Sequence, residues 1–311
     1  MTFTKISTTF KNRETTVAGN IYLPPDFDEA RTFSALVIAT PGSSVKEQIG
    51  AIYAERLAKH GFVALTFDAS YQGESTGAPR DLEDPAARVE DICCALDHLM
   101  TIPYVAEDSV GLLGICAGGG YAINAALTDH RFKAIATIVA NDIGSAFRKM
   151  QAKADLLDLI NSVGKQRTAE ARGASERRDQ WIPDSLKEAD AAGITDPAIL
   201  EAVMFYRESQ YRHPNSTNRL LFKSLAHLLR FDAFHLVPEL LIQPLLVIVG
   251  GRKGSTGQFE AGQFLFEQSQ SKDKQFFVVD DAGHYDMYYK PDSVERAIER
   301  LVPFFSSHMR S

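Results

Sequence analysis

The sequence predicts an α/β fold with a mostly parallel sheet and one long insertion. Short apolar runs alternate with amphipathic stretches along the first half of the chain, and this βαβ rhythm is typical of a parallel sheet flanked by helices. The rhythm stops after Asn141 and resumes at Pro244. We therefore expect a core built from residues 1–142 and 237–311, interrupted at residues 143–236 by a helical lid.

Two patterns of apolar residues predict the strands. Ile6–Phe10 and Val17–Leu23 alternate apolar and polar residues, as strands near a sheet edge do. Continuous apolar runs are typical of strands that are buried on both faces. They lie at 35–39, 63–67, 110–115 and 134–139, and two further strands are predicted at 244–251 and 274–281.

Amphipathic or small-residue segments between these strands predict helices at 48–60, 86–100, 119–127 and 258–268, with a closing helix at the end of the chain. The insertion holds three further amphipathic candidates, at 146–166, 196–208 and 219–231, and a charged, loop-like middle around 171–190. Their apolar faces predict a pocket for a medium to long acyl chain.

The bulk composition argues against several partners. A net charge of -7 without long runs of one sign offers no basic surface for nucleic acid. No apolar run approaches the roughly 20 residues that span a bilayer, so we expect no membrane association. Three cysteines cannot pair completely, and the start MTFTKISTTF lacks the apolar stretch of a secretory signal. A cytoplasmic location fits these features.

The segment Gly114-Ile115-Cys116-Ala117-Gly118 follows a predicted strand directly and precedes a helix of small residues. A sharp strand-to-helix turn holds its central residue in a strained conformation, so the flanking residues must lack bulk. A thiol at a helix N-terminus is expected to have a lowered pKa, and the Ala117 amide would face a developing oxyanion. We interpret Cys116 as a nucleophile; the alternative is a small buried hydrophobic residue.

Four motifs in order carry a family resemblance: ATPGSSVKEQ, FDASYQGES, GICAGGGYA and DAGHYDMY. Together they resemble the dienelactone-hydrolase-like branch of the α/β hydrolases, which includes trans-acting polyketide transferases, thiohydrolases and lactonising enzymes. The resemblance spans nearly the whole chain. It implies the α/β-hydrolase fold, a mostly parallel sheet flanked by helices, with an inserted helical lid and a catalytic triad.

The resemblance identifies His284, just after the last strand, as the base. The acid departs from the usual pattern, since many members carry an aspartate beyond the strand 245–249, where this chain has Gly254-Ser255. Asp142, after the preceding strand, occupies the position that other members of the fold use. The alternatives are a Cys116–His284 dyad, because a thiol ionises readily, and a capping role for Asp142.

The pocket has two sets of candidate residues. Ser43 follows the strand 35–39, where the second oxyanion amide is normally found, so the backbone N–H groups of Ser43 and Ala117 are the candidate oxyanion hole; a plain Pro-Gly turn is the alternative for Ser43. Aromatic residues of the insertion are candidate substrate contacts, although aromatic residues at helical spacing are also common in cores: Tyr206, Tyr211, Phe222 and Phe234.

Three functions fit this sequence. The first is a cysteine-dependent enzyme that releases, transfers or lactonises a polyketide-like acyl chain from a thioester, with an acyl carrier protein or coenzyme A as a candidate carrier. The second is a hydrolase of small esters or lactones, and the third a non-catalytic binding protein that keeps the fold. The sequence has no C-x-x-C, no zinc-binding histidine pair and no phosphate loop. No metal or cofactor is expected, and a homodimer is a candidate assembly.

Overall fold

The computed structural model describes residues 3–149 and 153–309 of the chain. The strands in these ranges are β1 (Thr4–Asn12), β2 (Thr15–Leu23), β3 (Phe33–Ala39), β4 (Val63–Phe67), β5 (Val105–Ile115), β6 (Ile135–Ile138), β7 (Arg178–Gln180), β8 (Arg219–Leu221), β9 (Leu245–Gly250) and β10 (Lys274–Val279).

Eight strands form one central sheet in the order β1-β2-β4-β3-β5-β6-β9-β10. The six strands from β4 to β10 in this order run parallel, whereas β2 pairs antiparallel with β1 and with β4. Every residue of β3 and β9 is buried, which agrees with their continuous apolar sequences. The predicted mostly parallel sheet is confirmed.

The helices in the described ranges are α1 (Ile49–Lys59), α2 (Pro85–Met100), α3 (Ala117–Ala126), α4 (Ile143–Lys149), α5 (Lys153–Ala171), α6 (Leu186–Ala191), α7 (Pro197–Val203), α8 (Ser224–Arg230), α9 (Val237–Leu240), α10 (Gln258–Gln268), α11 (Asp286–Tyr289) and α12 (Pro291–His308). A π-helical turn, Met204–Glu208, continues α7. None of these helices is long and apolar enough to cross a membrane.

Helices cover both faces of the sheet. Apolar side chains of α2, α3 and α10 are buried on one face, and those of α1 and α12 on the other. The carboxyl ends of parallel strands meet at one edge of a sheet, which is where α/β proteins bind ligands. The loop after β3, the turn between β5 and α3, and the loop after β10 all start at this edge.

The segment between β6 and β9 contains α4 to α9 and also a small two-stranded sheet. β7 pairs antiparallel with β8, and Arg178 of β7 forms a 2.9 Å ion pair with Asp81. β7 and α6 therefore occupy the stretch in which a charged loop was expected. β7 could not be predicted from the local sequence, because the segments that it contacts, β8 and Asp81, are distant along the chain.

Two predicted helices of the insertion differ in extent from the structure. The residues predicted as the start of a helix at 219 belong to β8, and the helix α8 begins only at Ser224. The helix predicted at 146–166 corresponds to the end of α4 and the first part of α5, and residues 150–152 lie outside the described ranges.

Candidate active site

Cys116 occupies a strained turn between β5 and α3. Its φ of 56° and ψ of -125° are rare for a residue with a side chain. The flanking glycines are required by space. A Cβ at Gly114 would lie 2.6 Å from the Cα of Gly119, and a Cβ at Gly118 would overlap the carbonyl oxygen of Ala39. The sharp strand-to-helix turn expected from the motif is therefore present.

The hydroxyl of Tyr288 lies between the histidine and the cysteine of the predicted site. His284, which is 4% exposed, has its Nε2 atom 3.1 Å from Tyr288 Oη. The same hydroxyl also acts on the Cys116 thiol, whose pKa it lowers. Tyr288 was missed by sequence reasoning, although its position four residues after His284, on the short helix α11, was a usable signal.

Burial sets the charge state of this trio. It lowers the pKa of His284 to about 3 and raises the pKa of the Cys116 thiol, against the opposing effects of the Tyr288 hydroxyl, the Ala117 N–H and the Arg88 charge. The expected lowering of the thiol pKa is thus not observed, because desolvation outweighs these partners. The resting site combines a neutral thiol with a neutral imidazole.

Asp142 does not meet His284. Its carboxylate accepts a hydrogen bond from Gly144 N at 3.0 Å and lies 3.7 Å from Arg148 Nη2, at the start of α4. Burial raises the pKa of this carboxyl. The other imidazole nitrogen, His284 Nδ1, is buried without a hydrogen-bond partner within the described residues. The geometry of Asp142 agrees with the capping alternative.

A cavity of about 170 Å³, partly open to solvent, lies beside Cys116. Its wall combines the β3 loop, the turn at Cys116, parts of the insertion and two tyrosines from the His284 loop: Pro41, Gly42, Ser43, Cys116, Ala117, Asn141, Ile143, Ala146, Phe147, Trp181, Ile182, Tyr206, Ser216, Asn218, Tyr285 and Tyr288. Both candidate oxyanion residues are included. Ser43 has a φ of 61°, and its carbonyl oxygen accepts a 2.7 Å hydrogen bond from Ser216, which ties the loop to the insertion.

Of the four candidate substrate contacts, the cavity wall includes Tyr206 alone. Tyr211 stacks on Phe205, with ring centroids 5.7 Å apart. Phe222 is buried under the guanidinium of Arg177, and Phe234 packs in the core beside Phe264. These three side chains belong to the packing of the insertion, as aromatic residues at helical spacing often do.

Buried charges hold the β3 loop from behind. Arg88 of α2 donates hydrogen bonds to the carbonyl oxygens of Thr40 and Pro41 at 2.7 and 3.0 Å, and its Nε lies 3.3 Å from the carboxylate of Glu83. Tyr121 donates a 2.7 Å hydrogen bond to the same carboxylate. This network fixes the loop that carries Ser43.

A second buried ion pair, between Lys46 and Asp68, also holds the loop after β3. Lys46 Nζ lies 3.0 Å from Asp68, whose carboxylate also accepts backbone hydrogen bonds from Lys46 and Glu74. Burying charges without partners is costly, so such pairs persist only where both members are satisfied. No group of three or more potential metal ligands occurs in residues 3–149 and 153–309.

The fold and the turn at Cys116 define the class of this protein. Residues 40–297 match the model of the alpha/beta hydrolase family, and the chain belongs to that family. It is 37% identical to YcjY of Escherichia coli over 306 residues, which cover 97% of both chains.

Two further proteins are similar to this chain. The crystal structure of PA2218 from Pseudomonas aeruginosa superposes with a TM-score of 0.89 at 28% identity, covering 99% of this chain and 94% of that one. A more distant relative, a thiohydrolase from Eupenicillium brefeldianum, is 24% identical over 268 residues, which cover 83% of this chain and 82% of the relative.

Proposed function

We propose that this protein is a cysteine-dependent acyl-transfer enzyme, which takes an acyl group from a thioester onto Cys116 and passes it to water or to an alcohol. One observation carries the proposal: Cys116 stands on a strained turn at a helix N-terminus and lines a cavity that is partly open to solvent. The amides of Ser43 and Ala117, in the wall of the same cavity, would receive the oxyanion. The resemblance to a thiohydrolase supports a thioester substrate.

In the proposed reaction His284 acts through Tyr288. As the bond from Cys116 Sγ to the carbonyl carbon forms, the thiol proton passes to Tyr288 Oη, and the phenolic proton passes to Nε2 of His284. The π electron pair of the carbonyl moves onto its oxygen. When the intermediate collapses, the carbonyl reforms and the departing thiol takes a proton back along the same path. No carboxylate is needed at His284 Nδ1 in this scheme, which replaces the triad with a Cys116–Tyr288–His284 relay.

The chemistry favours thioesters over oxygen esters. Transfer of an acyl group from a thioester to the Cys116 thiol is nearly balanced in energy, because the acyl-cysteine intermediate is itself a thioester. Transfer from an oxygen ester to the same thiol is uphill in energy. A weakly basic imidazole, with a pKa of about 3, gives little driving force for the uphill case. A carrier arm such as that of coenzyme A or an acyl carrier protein would lie outside the small cavity, with only its thioester inside.

A hydrolase of small esters or lactones is the second candidate function. The observation in its favour is the cavity itself, whose volume of about 170 Å³ is below the roughly 300–1,000 Å³ of typical ligand pockets. Release of free acid from aryl esters, without activity on acyl thioesters, would select this candidate.

Intact-protein mass spectrometry tests the leading proposal. After incubation with a panel of acyl thioesters we expect one acyl adduct, located on Cys116 and absent from Cys116→Ala. The matched control is Cys94→Ala, because Cys94 lies on α2 and burial raises its pKa to about 11. A Cys116→Ala protein with full turnover would exclude the nucleophile. Free labelling of the thiol without any acyl adduct would favour a binding protein.

A further inference from the structure

We infer that Asn141 binds the water molecule that releases the acyl group from Cys116, so that the acceptor in the second half of the proposed reaction is water rather than an alcohol. The inference rests on the proposed function, because it requires an acyl-Cys116 intermediate. It follows from the way in which Asn141 is held, from the oxygen atom that its side chain leaves unpaired, and from its place in the sheet.

Asn141 is held beside the turn that carries Cys116. It follows β6, and its backbone N–H donates a 2.9 Å hydrogen bond to the carbonyl oxygen of Cys116. Its Nδ2 atom donates a 2.9 Å hydrogen bond to the carbonyl oxygen of Thr256, in the loop after β9. A Cβ at Gly120 would lie 2.5 Å from the Asn141 carbonyl oxygen, so the backbone of α3 packs directly against this residue. Both the backbone and the side-chain amide of Asn141 are therefore fixed.

The side-chain amide of Asn141 leaves one acceptor unused. A carbonyl oxygen only accepts hydrogen bonds, so the contact with Thr256 requires the amide nitrogen at that position and places Oδ1 on the other side of the amide. Within residues 3–149 and 153–309, Oδ1 has no hydrogen-bond partner, and it is not a fully buried atom. Asn141 lies in the cavity wall together with Cys116 and Tyr288. Its Oδ1 can therefore accept a hydrogen bond from a donor in the cavity.

The order of the strands puts Asn141 on the side from which an acceptor would attack. Along the sheet the order is β3-β5-β6-β9-β10, and Cys116 follows β5. The loop of Ser43 follows β3 on one side of β5, whereas Asn141 follows β6 on the other side, and the helix with Tyr288 comes after β10. The acyl oxygen would point towards the amides of Ser43 and Ala117. The attacking group then has the side of Asn141 and Tyr288.

The number of hydrogen atoms distinguishes water from an alcohol at this position. When Tyr288 Oη donates to His284 Nε2, 3.1 Å away, its lone pairs can accept one hydrogen from the attacking group. A water molecule has a second hydrogen, which Asn141 Oδ1 accepts. An alcohol has a single O–H hydrogen, so it would place an alkyl group against Oδ1 and leave this acceptor without a partner. The site therefore favours water.

In this second step the water oxygen forms a bond to the acyl carbon. One proton of the water passes to Tyr288 Oη, the phenolic proton passes to His284 Nε2, and the π electron pair of the carbonyl moves onto its oxygen. On collapse the carbonyl reforms, the bond from carbon to Cys116 Sγ breaks, and the sulfur takes a proton back along the same path. The products are a carboxylic acid and the free thiol. Asn141 transfers no proton and holds the water in line for attack.

Two substitutions of Asn141 separate this role from a structural one. Asn141→Leu removes both the Nδ2 donor and the Oδ1 acceptor, whereas Asn141→Asp removes the donor and keeps an acceptor. The probes are the acetyl, butyryl and hexanoyl thioesters of N-acetylcysteamine. Rapid-quench mass spectrometry measures the released thiol, the acyl adduct on Cys116 and the free acid.

We expect the substitutions to affect the second step alone. In Asn141→Leu the burst of released thiol should stay within about twofold of the native rate, while release of the acid slows at least about tenfold and the adduct on Cys116 accumulates. Asn141→Asp should release acid within about threefold of the native rate. The matched control is Asn124→Leu, because Asn124 Nδ2 also donates to a backbone carbonyl, that of Ala233, but lies outside the cavity wall; both steps should be native.

Competition with methanol tests the acceptor in the native protein, without any substitution. The methyl ester should form a smaller fraction of the product than the mole fraction of methanol in the mixture. In Asn141→Leu the ratio of methyl ester to acid should rise about fivefold or more, the equivalent of one hydrogen bond, because only the water loses a partner.

The outcomes distinguish this inference from the proposed function. A native protein that releases no thiol and carries no adduct would overturn the proposed function and the inference with it. Native turnover together with native acid release by Asn141→Leu would overturn the inference alone. Equal slowing in Asn141→Leu and Asn141→Asp would do the same, since both lose the contact with Thr256. A native protein that forms methyl ester in excess of the mole fraction of methanol would also contradict it.

Discussion

Replacing Tyr288 by phenylalanine is the most direct perturbation of the proposed relay. The substitution removes one oxygen atom, the atom that lies 3.1 Å from His284 Nε2 and that lowers the pKa of the Cys116 thiol. It keeps the ring that packs against Tyr285 and Phe205. Tyr289→Phe is the matched control, because Tyr289 packs in the same aromatic cluster outside the cavity wall.

The magnitude follows from these contacts. Proton transfer by a positioned group contributes about 10²–10⁴-fold to a rate, so kcat/KM for an acyl thioester that the native protein turns over should fall at least about 100-fold, or roughly 2.7 kcal/mol of barrier. His284 would then have both ring nitrogens buried without partners, which costs about 1–3 kcal/mol of unfolding free energy. Tyr289→Phe should change the rate by less than about twofold.

Three measurements distinguish a relay from a structural role. Thioester turnover gives the rate, urea unfolding gives the stability, and the pH dependence of iodoacetamide labelling reports the thiol. The Tyr288 hydroxyl lowers the pKa of Cys116. Its loss should therefore raise that pKa and slow the labelling of the thiol at pH 8. A Tyr288→Phe protein with native turnover and a native labelling profile would refute the relay.

Three further substitutions test the remaining geometry. Asp142→Ala should cost about 0.5–2 kcal/mol in urea unfolding as the loss of a helix cap and leave turnover nearly intact; a collapse of turnover at full stability would restore Asp142 as the acid. His284 has a pKa of about 3 in the folded protein against 6.5 unfolded, so the unfolded chain binds more protons between these values. Unfolding free energy should fall by about 2 kcal/mol from pH 8 to pH 5; His284→Leu should lack this slope, and an equal slope would contradict the assignment. Gly118→Ala, whose Cβ meets the Ala39 carbonyl, should lose about 1–3 kcal/mol or more, whereas Gly164→Ala in open space on α5 should be neutral or stabilising.

The parts of the molecule that the sequence predicted are those determined by local patterns. The buried strands followed from continuous apolar runs, and the turn at Cys116 from glycines whose absent side chains leave room for the backbone. The His284 loop followed from its place after the last strand. Each of these features is set within about ten residues of chain, and each lies where it was expected.

The parts that the sequence could not give depend on contacts between distant segments. Arg88 stands in the helical sequence PAARVED, where a charged residue is typical of a solvated face, yet it is 6% exposed and bonds to the loop after β3. Trp181 lies in a segment expected to be a loop. Its place in the cavity wall depends on Gly42, which contacts its ring and lies nearly 140 positions earlier in the chain.

The distribution of charge links the catalytic proposal to the substrate. Arg88 and Lys46 each have a carboxylate partner, and they hold the loop that carries Ser43 without contributing a charge to the cavity wall. His284, which is not among the lining residues, is desolvated and neutral, and its Nδ1 has no hydrogen-bond partner within the described residues. An imidazolium formed there would be short-lived, which favours a relay through a hydroxyl over a stored ion pair. The same neutral surroundings admit a neutral acyl group, because a charged one would meet no partner among the lining residues described.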